Sequence, residues 1–457
     1  MIPLLFQLSL PPSIVPPDVV QQAATLRDLA LSRTGAIEIV QSLTDGVGPR
    51  LSGSEGAQAA RAWALSTLAS LGFQNVHAEA VVEPRWERGV EEAEILSPRQ
   101  RLVVTALGGS PPTPPGGLQG KVVGVADLES LRVLLAGDPA AVRGRIVFFT
   151  ERMERTRDGS GYGRAVAMRS QGAKAVSAAG GLAVLIRSVG TSSSRLPHTG
   201  AMQTDGPVVP AAAVSAPDAD LLERLLPRGI SVRLSLGCRV RPDAPSANIV
   251  GELKGTGEEV VLLGAHLDSW DLGQGALDDG AGVGIILDAA RILRSSSHPL
   301  RRTVRVVLFA NEENGSRGGQ GYALAHAAEA PVHASALEMD LGADPVYGFA
   351  SLTGPEGRAA TDAIFELLKP LGVTERAEGG ESGADVSPLI PLGVPMLSLR
   401  QDASRYFDFH HSADDTLDKI DPRNMQQAVA AVVAVTAVVA DMPGTLGRVP
   451  PQKPRSE

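Results

Sequence analysis

A single cysteine, Cys238, stands among 457 residues. An intrachain disulfide is excluded, and thiol usage gives no reading of the redox compartment. Cys238 lies in the alternating run SVRLSLGCRV, where a small buried strand residue fits better than a reactive thiol. No uninterrupted apolar run reaches the roughly 18 residues that read as a transmembrane helix, so no membrane span is expected. Lysine is scarce, arginine is scattered and the net charge is -9. No basic cluster is present to neutralise phosphates, so a nucleic-acid partner is not expected. The opening MIPLLFQLSLPPSIVPP is apolar, but it has no basic start and is interrupted by Pro3, Pro11 and Pro12. No standard signal peptide is expected as written.

What is present is enough to build two or three domains. Hydrophobic residues make up 43% of the chain, and 50 glycines and 33 prolines point to many tight turns and ordered loops. Residues 19–45 read as helix. Ser54 reads as the N-cap of a second helix that Gly72 closes, and residues 76–107 alternate as strands. The run GGSPPTPPGG at 108–117 reads as a hinge and a domain boundary. From 259 onward, apolar strands alternate with helices: VVLLGA, AGVGIILDAARILR, TVRVVLFAN, ASALEM, PMLSLR and a long C-terminal helix. This pattern predicts an α/β fold with a mostly parallel mixed sheet covered by helices on both faces.

In open sheets of this kind, ligands bind beyond the carboxyl ends of the strands. VVLLGA runs into His266-Leu267-Asp268, VRVVLFAN into Glu312-Glu313, and ASALEM into Asp340. PMLSLR leads through a short loop to His410-His411. Asp278 lies in the glycine-rich loop GQGALDDGAGVG. Each residue alone has an ordinary explanation as a satisfied histidine, a helix cap or a solvated turn. Together they are the donors that a pair of zinc ions takes, with a short rigid acid such as Asp278 to share. In the Glu312-Glu313 pair, one carboxylate can ligate while its neighbour takes a proton. His77, His298, His326 and His333 are not assigned to the site.

Four ordered motifs, GAHLDSWDLGQGALDDGAG, FANEENGSRGG, EMDLGAD and FHHSADDT, together with RLSGSEG and IRSVGTSSSRLPHTGAM, resemble the M28 family of zinc peptidases. The match is closest to the branch containing carboxypeptidase Q and covers residues 20 to 442. The resemblance implies two Zn2+ held by His266, Asp278, Glu313, Asp340 and His411, with Asp278 bridging and the Asp278-Asp279 bond cis. It implies Glu312 as general base and Asp268 as the support of His266. Asp340 is preferred over Glu338 and Asp344, and His410 is placed outside the ligand set. It further implies peptidase sequence at 1–115, an inserted protease-associated domain at 116–228, the main peptidase part at 229–445 and a flexible tail at 446–457. Arg187 and His198 of the insert read as solvated-loop residues. The segment around Ser382 and Asp385 reads equally as pocket lining or plain loop. The implied substrates are dipeptides or short peptides. Export and a homodimer are implied by the resemblance alone. Two rivals remain: a non-catalytic binding relative of the same fold, and a glutaminyl cyclase-type acyltransferase. The complete ligand set argues against the first and the Glu-Glu pair against the second.

Overall fold

The structure, a computed structural model, describes residues 15–33, 35–379 and 383–450. The opening apolar run through residue 14, Ser382 and the tail beyond 450 lie outside the described residues.

Val, Ile and Leu fill the strands of the main sheet, which are buried along most of their length. Its eight strands lie in the order Gln74–Glu87, Arg239–Leu253, Thr303–Phe309, Val260–His266, His333–Glu338, Met396–Gln401, Val346–Leu352 and Glu375–Glu378. The four central strands run parallel to one another, and both flanks contain antiparallel pairs. Strand alternation sends Val261, Leu263, Val304, Val306 and Leu308 to one face. Helices Ala281–Leu293 and Pro422–Asp441 cover that face. Leu262, Val307, Phe309 and Met396 point the other way, toward Tyr322, Val386 and Leu389. Ala281–Leu293 is buried all round except at Arg291, as a helix between a sheet and an outer layer must be. Pro422–Asp441 is, among the described residues, the one helix long and apolar enough to cross a membrane. Some 83% of its apolar window is buried inside the fold, the pattern of a core helix.

The α/β reading of the sequence holds, and several boundaries move. The expected helix over 19–45 is two helices, Pro17–Ser32 and Ala36–Gly46. They part where the Gly35 N–H donates to Asp288 Oδ2 at 2.9 Å, docking the chain on Ala281–Leu293. Ser54 caps its helix by accepting from the Ala57 N–H at 3.0 Å, and Gly72 closes it at φ 78°. Of the expected flexible tail, the segment from Leu446 to Val449 is packed. Leu446 is fully buried, and the Val449 N–H donates to the Gly393 carbonyl at 3.0 Å. Cys238 is buried, which pushes its thiol up to about 11.

A second eight-stranded sheet is built from strands between Glu91 and Leu236, with helices Leu128–Gly137, Gly161–Ala178 and Ala216–Leu225. It is therefore wider than the 116–228 segment expected. The 108–117 run is not a boundary, because Thr113 N–H donates to the Leu236 carbonyl at 2.9 Å and ties that run to the sheet's own strand. The chain crosses between the sheets near Gly89 and Gly237, where the Gly237 N–H donates to the Val90 carbonyl at 2.8 Å. The two backbones are so close that a Cβ on Gly89 would collide with the Gly237 carbonyl. Gly89→Ala is expected to destabilise the protein by about 1–3 kcal/mol, the usual range for overpacking. Val82→Ala, at a site 57% exposed, is expected to stay within about 0.5 kcal/mol. Denaturant unfolding of the two variants checks this, and equal midpoints would contradict the junction's tightness.

Candidate metal centre

Parallel pairing sets Val260–His266 between Thr303–Phe309 and His333–Glu338, so the chain leaves all three strands at one rim. His266 ends the first, Asn311-Glu312-Glu313 follows the second, and Asp340 follows the third. The residues named from the sequence meet there. His266 Nε2 is 3.1 Å from Asp278 Oδ1 and 3.3 Å from Asp340 Oδ1. His411 Nε2 is 3.1 Å from Asp278 Oδ2 and 2.9 Å from Glu313 Oε2. Asp278 thus turns one oxygen to each histidine. His266, Asp278, Glu313, Asp340 and His411 are brought together, and His266, Asp278 and Glu313 form one group with donor atoms within 4.8 Å of one another.

These donors fit a cation. The Nδ1–H of His266 donates to the Asp268 carbonyl oxygen at 3.0 Å, which leaves the Nε2 lone pair aimed at two carboxylates. His411 repeats the arrangement, its Nδ1 facing the Thr199 carbonyl at 3.3 Å. A lone pair set against a carboxylate oxygen is repulsive unless positive charge lies between them. Asp278 Oδ2 and Glu313 Oε1 are also buried and take no hydrogen bond. Two residues hold left-handed backbone angles that non-glycine residues seldom adopt: Asn311 at φ 62° and His411 at φ 59°.

The protonation of the cluster reflects crowded charge. Burial raises Glu313 to about 6, with the Asp278 charge adding and His411 opposing. Burial and Asp340 raise Glu338 to about 8, and burial and Asp278 raise Asp415 to about 7. Burial pushes Glu312 well above the usual carboxylate range, with Asp340, Glu313 and Asp278 adding to it and His266 opposing. Asp278 goes the other way: burial would raise it, but the facing imidazoles of His266 and His411 hold it well below. Burial would lower His411, but the Glu313 and Asp278 carboxylates lift it to about 9.

One role differs from expectation. Asp268 meets the His266 Nδ1 through its backbone carbonyl, while its carboxylate Oδ1 stays 3.8 Å away. That carboxylate instead accepts from the backbone N–H of Glu312 at 3.1 Å and of Glu313 at 3.4 Å, and from Ser52 Oγ at 2.8 Å. It therefore fixes the Glu-Glu turn. Asp279 accepts from the His266 N–H at 3.1 Å and the Gly282 N–H at 2.9 Å, so it ties loop to strand and starts the helix. The Asp278-Asp279 bond is cis. Glu338 accepts the Asp385 and Val386 N–H groups, and Asp344 faces Asn424 and Arg405. His410 stacks on His411 with ring centroids 3.5 Å apart, and its Nε2 lies 3.6 Å from Asp278 Oδ2. His326 and His333 serve a separate cluster around Tyr322.

The sequence reading missed two supports. Asp415 accepts from the backbone N–H of Leu277 at 2.6 Å and of Asp278 at 3.3 Å, so it holds the shared aspartate from behind. Arg50 is fully buried and donates to the carbonyls of Leu267, Gln274 and Gly275. Both residues lie in motifs already singled out, HSADDT and RLSGSEG, but nothing in the sequence told their roles. The second sheet also reaches the centre. Thr199 N–H donates to the His411 carbonyl at 2.9 Å, and Arg169 Nη1 lies 3.4 Å from His411 Nδ1. His198 is no solvated-loop residue: it is buried, with Nδ1–H donating to the His410 carbonyl at 2.6 Å. Arg187 is likewise mostly buried and paired with Asp220 and Glu223.

The pattern described as peptidase family M28 matches residues 248–436, the stretch that supplies all five clustered residues. Carboxypeptidase Q of Mus musculus is 39% identical over 413 residues, covering 89% of this chain and 86% of that protein. A crystal structure of a peptidase M28 precursor from Shewanella amazonensis SB2B superposes with a TM-score of 0.91 at 43% identity, covering 95% of this chain and 99% of that one. BSAP, a zinc aminopeptidase from Bacillus subtilis, shares the fold with a TM-score of 0.64 at 20% identity, covering 92% of this chain and 98% of that one. Identity at this level across most of the chain, with a family match that spans the whole cluster, makes the protein a metallopeptidase that belongs to peptidase family M28.

Proposed function

We propose that the chain is a dizinc exopeptidase that hydrolyses dipeptides or short peptides with Glu312 as general base. One observation carries this reading: Asp278 turns its two oxygens to two different histidines at 3.1 Å each. His266 and Asp340 would hold one ion, Glu313 and His411 the other, and Asp278 both. Zinc so held lowers the pKa of bound water toward neutrality and polarises a carbonyl oxygen. Carboxypeptidase and aminopeptidase relatives, one of them a zinc enzyme by name, support the assignment of metal and reaction class.

The chain's own residues handle the proton. Glu312 is half-buried beside the cluster, and its backbone is fixed by the Asp268 carboxylate. Its raised proton affinity suits a group that takes a proton from attacking water and returns it to the nitrogen of the leaving amine. Asp268 and Asp415 are positioning residues, the first for the Glu312-Glu313 turn and the second for the Asp278 loop. Residues 116–228, as the core of an inserted protease-associated domain, would restrict the length of peptide that reaches the cluster through their contacts to the His411 loop.

Glu312→Gln is expected to keep two zinc ions per chain by elemental analysis and to lose activity by about a hundred- to ten-thousand-fold. Normal turnover with metal retained would reject Glu312 as the base. Asp278→Asn is expected to lose bound zinc, and unchanged metal content would reject the shared-ligand reading.

Removing the metal has a pH signature. Asp415 and Glu338, at about 7 and 8, sit above their ordinary carboxylate values, so ionising them costs stability as pH rises. His411, at about 9, sits above the ordinary imidazole value of 6.5 and loses its contribution between the two, where Glu338 is still losing its own and Asp415 is completing its loss. The buried His198 and His333, at about 4, titrate outside this window. The chelated protein is therefore expected to melt at progressively lower temperature from pH 6.5 to 9, where the zinc-loaded protein changes little. Melting curves at matched ionic strength check this, and parallel profiles for the two forms would contradict it.

A further inference from the structure

A cavity of about 330 Å³ opens beside Asp340 and is lined by Tyr347, Ser398, Arg400, Glu338 and Asp158. Its acidic groups are all engaged. Asp158 accepts from the Ser160 N–H at 3.1 Å and the Ser160 hydroxyl at 2.7 Å. Glu338 accepts two backbone N–H groups, and Asp340 faces His266. The neighbouring arginines are engaged as well. Arg157 lies over the Tyr347 ring at 3.8 Å and pairs with Glu375 and Asp402. Arg155 pairs with Asp408. Arg400 differs. It is half-buried in the cavity wall, and among the described residues its guanidinium has no ion pair and no hydrogen bond. Its stem lies across Gly348, where a side chain's Cβ would stand only 3.3 Å from Arg400 Cβ and Cδ. The glycine leaves room for the stem of Arg400 at the cavity wall.

A guanidinium left without a counter-ion, while every acid among the described residues lining the cavity is engaged, matches a carboxylate brought by a ligand, held through two parallel N–H donors. We infer that Arg400 binds the terminal carboxylate of the peptide, which makes the chain selective for substrates ending just beyond the scissile bond. This rests on the peptidase reading above. Asp340 and Arg400 line one cavity, so the reacting carbonyl and the chain end would be read side by side.

The test compares a neutral dipeptide, its carboxamide, and a carboxamide carrying glutamate at the second position. The enzymes are zinc-loaded wild type, Arg400→Ala and Arg400→Lys. Wild type is expected to favour the free acid over the amide by roughly 10- to 100-fold in kcat/KM, the scale of a charge-assisted hydrogen bond. Arg400→Ala should erase that preference mainly through KM, with metal content unchanged, and Arg400→Lys should keep part of it. A preference that survives in Arg400→Ala, or equal cleavage of acid and amide by wild type, overturns the proposal. Recovery of the glutamyl amide through Arg400 would place the recognised carboxylate on the side chain and overturn the terminal assignment. Titration calorimetry with a free amino acid and its amide separates this from failure of the peptidase reading. If no peptide is cleaved, tighter binding of the acid that is lost in Arg400→Ala still supports the carboxylate site. Equal binding of acid and amide removes it.

Discussion

The structure is organised around buried acids that would repel one another without added positive charge. Asp278, Glu313 and Asp340 converge on two imidazoles, and Asp279, Glu338, Asp385 and Asp415 stand close behind them. In a dry interior such a cluster either takes up protons or binds cations. The raised carboxylates, His411 and His266, whose proton affinity is lifted by Asp340 and Asp278 against the effect of burial, are the proton-bound form of that choice. A divalent ion on either side of Asp278 is the other. The fold stabilises the acids in place first, so that the ion completes an existing arrangement instead of creating one.

What holds the acids is mostly backbone. The Asp268 carboxylate fixes the Glu312-Glu313 turn, Asp415 fixes the Asp278 loop, and Asp279 fastens that loop to the His266 strand. Each support uses a carboxylate to accept main-chain N–H groups, so charge is added to an already acidic region. Arg50 offsets part of it. Burial lowers its proton affinity, Asp415, Asp268, Asp279 and Asp278 oppose that in part, and an arginine stays charged throughout. Because Arg50 donates only to carbonyls, its charge is unshared and acts on the whole group.

The candidate site was legible because its parts occupy strand ends, which apolar runs such as VVLLGA and VRVVLFAN mark plainly. His266, Glu313 and Asp340 follow from that rule. Asp278 and His411 lie in loops: the glycine-rich run GQGALDDGAGVG pointed to the first, and the short loop after PMLSLR to the second together with its neighbour His410. Asp415 and Arg50 sat in the motifs HSADDT and RLSGSEG without a readable role, since main-chain hydrogen bonds leave no spacing signature. Boundaries were harder. The 108–117 run has the composition of a linker, yet Thr113 stitches it to Leu236. The real crossing at Gly89 and Gly237 lies in a strand-rich stretch, where two close backbones give no compositional cue. The contribution of Thr199 and Arg169 was unreadable, because it depends on how two sheets dock.

That docking decides how independent the two sheets can be. His411 is gripped from both sides. Its Nε2 faces Asp278 and Glu313 of the main sheet's rim, while its backbone carbonyl and Nδ1 meet Thr199 of the second sheet. Tyr162 extends the contact by stacking on Phe407 at 5.0 Å and meeting His410 edge-on at 5.3 Å, and Arg155 pairs with Asp408. A loop carrying a left-handed residue at φ 59° needs such over-determination to persist. Movement of the second sheet away from the rim would release the Nδ1 partner of His411 and let the ring turn, loosening its Nε2 from Asp278. The second sheet is therefore part of what orients the imidazole, and the geometry around Asp278 is a property of both sheets together.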